Sequence, residues 1–171
     1  MSEAAQESAT TEVVDEKRIK KMCLILSKAT LDNVYAYFIL ANGARMEGIE
    51  AEIFFTFFGL EAITAKKLDD LHVATVGNPA MHLPTMLGGL PGMENFATSM
   101  MKKEMEKLDI PPVGEFLDIL KASGVNLWAC KLAMEMFHLK EEALYSDIDG
   151  VLTVGSFYER AKGEGTHLLF I

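Results

Sequence analysis

Two residues in this chain carry side chains with obvious nucleophilic chemistry, Cys23 and Cys130, and their settings differ. Cys130 lies in GVNLWACKLAMEMF, Gly124 to Phe137, where the apolar, β-favouring Val125, Leu127 and Trp128 give way to the helix formers from Lys131 onward. That pattern predicts a short strand ending in a cysteine at the mouth of a helix. In a parallel sheet such a junction falls at the carboxyl end of the strands, where ligands bind and free helix N–H groups favour an anion. A thiolate there has a lowered pKa and is reactive. The competing reading of Cys130 is a small buried hydrophobe, because unpaired cysteine is among the most buried residue types. Cys23 sits inside the apolar run KKMCLILS, which predicts a buried structural thiol. Neither cysteine belongs to a CxxC pair or a zinc pattern, and two are too few for a disulfide framework, so a reducing, cytoplasmic setting is expected.

Other polar residues are candidates for the surroundings of Cys130. Lys131 follows it directly, and Ser27, Thr30, Asp32 and Gly59 fall in turns expected at the same sheet edge. Their plain role is turn formation and helix capping. His82, between Pro79 and Pro84, would serve as a base only if its loop folded over that edge; otherwise it is an ordinary loop histidine. His72, His138 and His167 stand alone in the sequence. No metal or cofactor is called for by these residues.

The elements that must position these groups alternate along the chain. Met1 to about residue 17 is acidic and poor in apolar residues, which predicts a flexible tail and fails as a secretory signal. Lys20 to Ser27 reads as a central parallel strand. From Thr30 to Glu47 the apolar positions Val34, Tyr37, Phe38, Ala41 and Ala44 form one helical face, with Thr30 or Asp32 to cap it and Gly48 to stop it. Glu50 to Phe58 returns to extended character, Gly59 breaks it, and LEAITAKKL is expected to be helical. Leu71 to Val76 reads as a third short strand. GNPAMHLPTMLGGLPGM, Gly77 to Met93, is dense in Pro, Gly and Met and interrupts regular structure.

Glu94 to Leu108 is amphipathic, with Ala97, Met101, Met105 and Leu108 on one stripe. The insertion at about 77–110 therefore reads as a lid, a subunit contact or a membrane-touching arm, or simply as packing on the domain's own core. Pro111 and Pro112 open a helix with Val113, Phe116, Leu117 and Leu120 on its buried face, and Gly124 ends it. After the Cys130 strand and its helix to about His138, a polar stretch leads to short strands at Val151 to Val154 and His167 to Ile171, with a helix over Gly155 to Ala161. Four to five strands alternating with helices define an α/β fold: one three-layer domain, residues 18–171, with a mainly parallel sheet and helices on both faces.

Composition bounds the function. The 171 residues are half apolar, enough for a full core. A formal charge of −9 argues against nucleic acid as a partner, since phosphate binding needs clustered basic groups. No run reaches the roughly 18 to 20 apolar residues of a spanning helix. The positive mean hydropathy, +0.16, and the Met-rich insertion favour a homo-oligomer.

Taken in order, FFTFFGL at Phe54 to Leu60, SKATLDNVYAYFILANGA after the first strand, the GNPAM and LPGM elements, VNLWACKLAM and the closing GVLTVGSFYERA resemble the DsrE/DsrF/DsrH-like superfamily, and within it the DsrE2 branch. The resemblance runs from about Lys20 to Ile171. It implies a small parallel α/β domain that assembles into oligomers and relays sulfur between donor and acceptor proteins as a cysteine persulfide, a sulfurtransferase chemistry. The family's active cysteine follows a strand and opens the next helix, the place of Cys130. The branch also includes members held at membranes by the middle insertion. Here Gly88, Gly89, Pro91 and Glu94 break that segment, so contact of 81–108 with a membrane surface is expected rather than a span. A noncatalytic oligomeric binding or scaffold subunit of the same fold is the alternative.

Overall fold

The computed structural model describes residues 18–76 and 85–170. The expected tail and His82 lie outside them. Five strands, β1 (Lys21–Leu26), β2 (Glu50–Phe55), β3 (Asn126–Cys130), β4 (Gly150–Leu152) and β5 (Thr166–Phe170), form one sheet in the order β4-β3-β2-β1-β5. Every neighbouring pair is parallel. All five strands therefore present their carboxyl ends along one edge, and the order reverses at β1, between β2 and β5.

The helices are α1 (Leu31–Met46), α2 (Thr85–Gly88), α3 (Met93–Glu106), α4 (Val113–Ala122), α5 (Lys131–Met136) and α6 (Val154–Arg160). Side chains alternate across a strand, so Phe54 and Phe55 point to opposite faces. Phe55 meets Phe38 of α1 edge-on at 6.5 Å, and Phe38 in turn meets Phe116 of α4 at 5.5 Å. Phe54 stacks on Phe157 of α6 at 4.5 Å. Helices thus cover both faces of the sheet. The apolar stripes expected from periodicity are the ones buried: Val34, Tyr37, Phe38, Ala41 and Ala44 on α1, and Val113, Phe116, Leu117 and Leu120 on α4.

Several local expectations are corrected. Leu71 to Val76 makes no strand; this stretch spends its polar groups elsewhere, with the His72 carbonyl accepting from Leu31 N–H at 2.9 Å and Val73 N–H donating to Thr98 Oγ1 at 3.0 Å. β2 stops at Phe55, and a 3-10 segment, Phe57–Ile63, replaces the expected α-helix over LEAITAKKL. Gly59 is inside that segment rather than a break before it. Its N–H donates to Ser27 O at 3.1 Å, and a Cβ there would stand 2.1 Å from Leu26 O, so only glycine admits this approach of chain to chain. α3 ends at Glu106, which leaves Leu108 beyond the helix and 72% exposed instead of on its buried stripe. Thr30 precedes α1 as expected, but its hydroxyl accepts from Asn33 Nδ2 at 2.6 Å, not from a helix N–H. Gly124 adopts a positive φ, 86°, ends α4, and leaves room for Arg45, whose guanidinium donates to Ser123 O at 2.9 Å and Ile49 O at 3.1 Å.

Candidate functional site

Cys130 is the last residue of β3 and the residue that caps α5. Strand pairing puts it beside Leu152, the end of β4, so it stands at the carboxyl edge of the sheet. The local reason is visible in the sequence: β-favouring residues through Trp128, then Ala129, then a helix-forming KLAMEM. α5 has six residues rather than running to His138; His138 itself takes a positive φ, 53°, and turns the chain. The Cys130 residue is 3% exposed.

Around it the surface is apolar. Phe57, Phe58, Leu132, Met136 and Phe137 are exposed, and Phe58 and Phe137 are in ring contact at 5.4 Å. Phe57 holds a positive φ of 46°, a strained conformation for an aromatic residue, at the turn that follows β2. A shallow cleft of about 160 Å3 between Phe57, Phe58, Lys67, Phe137 and Leu139 lies in this rim. Lys131 is exposed in the first turn of α5.

The other residues singled out from sequence divide between two places. Ser27 and Gly59 are joined by the hydrogen bond already described, at the ends of β1 and β2. Thr30 lines a different cleft of about 320 Å3 with Lys28, Phe58, Glu61, Asp70 and His72. Asp32 lies in the first turn of α1, with Oδ1 buried and without a hydrogen-bond partner among the described residues. β2 separates β1 from β3, so Ser27 stands about 10 Å across the sheet edge from the Cys130 strand, two strand spacings. Among the described residues no side-chain hydrogen bond joins Ser27, Thr30, Asp32 or Lys131 to Cys130.

Cys23 is fully buried in mid-sheet, in a setting that sequence reading missed. It pairs across the ladder with Glu52, which is also 0% exposed. The Cys23 thiol donates to Glu52 Oε1 at 3.2 Å. Glu52 Oε2 is bound by Arg160 Nε at 3.1 Å and Lys21 Nζ at 3.3 Å, and Lys21 also donates to Arg160 O at 2.9 Å. The Arg160 guanidinium lies over the Trp128 ring, 4.3 Å from its centre. Burial, then the charge and hydrogen bond of Glu52, push the Cys23 thiol up to about 12, so it stays protonated and a poor nucleophile. The available signal was a carboxylate inside the apolar run EAEIFF, because a charge buried on a strand requires partners.

On the insertion, α3 buries Ala97 and Thr98 and leaves Phe96 and Met100 exposed, as are Met86, Leu87 and Leu90 before it. Among the described residues no helix is long and apolar enough to cross a membrane.

A parallel five-stranded sheet, reversed in order at β1, with a cysteine closing β3 and opening the next helix, defines a class of small α/β proteins. The chain belongs to the DsrE/DsrF/DrsH-like family, whose pattern matches residues 18–169, and within it to the DsrE2 branch. It is 35% identical over 162 residues to the sulfur carrier protein DsrE2 of Allochromatium vinosum, covering 89% of this chain and 98% of that protein. It is also 29% identical over 161 residues to the uncharacterized protein YrkE of Bacillus subtilis, covering 91% of this chain and 99% of that one.

Proposed function

We propose that this protein is a sulfur carrier that holds sulfane sulfur as a persulfide on Cys130 and passes it to a thiol of a partner protein. What carries the reading is the place of Cys130, at the end of β3 and the start of α5, in a chain 35% identical along nearly its whole length to a sulfur carrier. Cys23 is a poor alternative, since its thiol is buried and held protonated by Glu52.

In the loading step the Cys130 thiolate attacks the outer sulfur of a donor persulfide. A new S–S bond forms to Cys130, the donor's S–S bond breaks, and the donor leaves as a thiolate, with no net oxidation. Delivery repeats the exchange, the acceptor thiolate taking the outer sulfur from Cys130. A second cysteine close by would discharge the persulfide as a disulfide, and the distant, buried Cys23 is not placed to do so. The buried sulfur is reached by local opening of the short α5, and the apolar rim of Phe57, Phe58, Leu132 and Phe137 is the surface on which donor and acceptor proteins dock. Lys131, the first residue of α5 after the thiol, is the proposed electrostatic support for the anion; Ser27, Thr30, Asp32 and Gly59 shape the edge.

Oligomer formation belongs to the same proposal. β5 is an edge strand carrying exposed Leu168 and Phe170 on the face that α6 covers, where Tyr158 is also exposed. The exposed Met86, Leu87, Leu90, Phe96 and Met100 are the proposed contact with a membrane surface. A cytoplasmic setting fits a free thiol that must stay reduced.

The burial of Cys130 favours one competing reading, a noncatalytic subunit of the same fold whose cysteine is only core. Mass spectrometry of the intact protein after incubation with a small persulfide donor separates the two. Sulfur added to the native chain, absent from Cys130→Ser and retained by Cys23→Ser, supports the carrier. A native protein that takes up no sulfur and resists alkylation at Cys130, with assembly unchanged in Cys130→Ser, supports the scaffold.

A further inference from the structure

A third cleft, of about 450 Å3, opens between α1, α3 and the entrance to α4, on the face of the sheet away from α6. α1 and α4 both begin at the carboxyl edge of the strands, the side on which parallel α/β sheets bind ligands. Its volume falls in the range of small-molecule sites. The floor is core: Leu31, Tyr35 and Val113 are buried, and Met105 and Ile110 are half-buried walls.

The rim carries three carboxylates, Asp69, Glu106 and Glu115, against one cation, Lys102. Lys102 is already engaged, donating to Asp69 O at 3.0 Å. Asp69 is held in place by Gly114 N–H, which donates to Oδ1 at 3.3 Å. The Tyr35 hydroxyl is spent on Pro111 O at 2.7 Å, so what Tyr35 offers the cleft is its ring. An aromatic ring, a thioether and surplus carboxylates around an apolar floor together suit one class of ligand.

We infer that this cleft binds a small organic cation, an ammonium group carried on an apolar body, with the body against Leu31, Val113 and Met105 and the head between Tyr35, Asp69 and Glu106. The surplus of carboxylates on the rim makes the field inside the cleft negative, the sign in which Asp69, after burial, also pushes the Tyr35 phenol, up to about 12. An anionic ligand of the same shape meets that field with the wrong sign, and an uncharged one gains nothing from it. The inference does not rest on the sulfur reading, because the cleft contains no cysteine.

Titration of the full-length, isotopically labelled protein with hexyltrimethylammonium, hexyl sulfate and hexanol, followed by amide NMR, tests it. The expected result is movement of the Tyr35, Met105 and Gly114 resonances with the cation, at an affinity about tenfold above that for either other probe. In the Asp69→Asn, Glu106→Gln double variant, both sites being exposed and the amide keeping an acceptor for Gly114, the preference collapses while the thermal midpoint holds. Equal affinity for the three probes, resonance movement elsewhere than the cleft, or a preference that survives the double variant overturns the assignment.

Discussion

At the scale of single residues the molecule contrasts two thiols that the same chemistry treats differently. Cys23 faces a buried carboxylate, and that neighbourhood sets two measurable outcomes. Glu52 is enclosed by Lys21, Arg160 and the Cys23 thiol, so Glu52→Gln leaves two half-buried cations without their counter-charge, at a cost of about 3 kcal/mol. The exposed Lys162–Glu159 pair is the control: Glu159→Gln there changes stability by less than about 0.5 kcal/mol. Urea unfolding midpoints of the two variants check both figures. The second outcome concerns pH. Because the folded state raises the Cys23 thiol from the ordinary 9.0 to about 12, the folded chain keeps a proton that the unfolded chain releases. Stability from this thiol is complete below pH 9 and is lost as pH climbs from 9 towards 12. Tyr35, raised from 10.0 to about 12, adds the same sign of loss from a higher starting point. Between pH 9 and 10 the fall in unfolding free energy is therefore expected to flatten in Cys23→Ala; an unchanged slope would mean that burial and Glu52 together do not raise this thiol. The Cys130 position was legible from residue types alone, since strand formers followed by helix formers locate a junction without any tertiary information. The Glu52 cluster was not, because Cys23, Lys21 and Arg160 lie 29, 31 and 108 residues from the glutamate and meet it only through strand register and the return of α6.

At the scale of elements, glycine separates two kinds of constraint. Gly43 lies within α1, where an added Cβ meets nothing within 4 Å, so Gly43→Ala is expected to stabilise the chain by about 0.5–1 kcal/mol through helix propensity. Gly59 lies against the Leu26 carbonyl, and Gly59→Ala is expected to cost more than about 2 kcal/mol, because backbone rather than a flexible side-chain end must move. Thermal midpoints of the pair, one up and one down, are the check. The same contrast explains which elements could be read in advance. α1 and α4 announce themselves because their buried faces repeat at the helical period and their packing respects it. LEAITAKKL carries helix-forming residues too, yet Gly59 fixed on Ser27 and Leu26 draws the chain into a tighter 3-10 path. LHVATV has strand composition but no ladder partner among the described residues; its His72 C=O accepts from Leu31 N–H of α1 and its Val73 N–H donates to Thr98. Propensity describes what a segment prefers alone; the partner available in space decides.

At the scale of the whole molecule the exposed apolar groups fall mainly in four regions: the outer faces of α1 and α4 with Ile39, Leu40, Met46 and Ile119, the rim beside Cys130, the α2–α3 edge, and the β5 edge with Tyr158. If the last is a subunit contact, sedimentation of the native protein gives an oligomer, and Leu168→Glu with Phe170→Glu shifts it to monomer while the folded far-ultraviolet spectrum remains; a native monomer rejects the contact. The sheet order has a consequence for how the protein is made. β1 begins at Lys21 and its partner on one side, β5, begins at Thr166, so the second edge of β1 stays open until the other four strands have been made. Arg160, which neutralises Glu52, arrives equally late. A nascent chain emerging from the ribosome can pair β1 with β2 early, but it then has Lys21 alone as the counter-charge of Glu52 and an unpaired strand edge until α6 and β5 emerge. Closure of the sheet, and with it the full counter-charge of Glu52, thereby waits on residues 160–170, made after the other four strands.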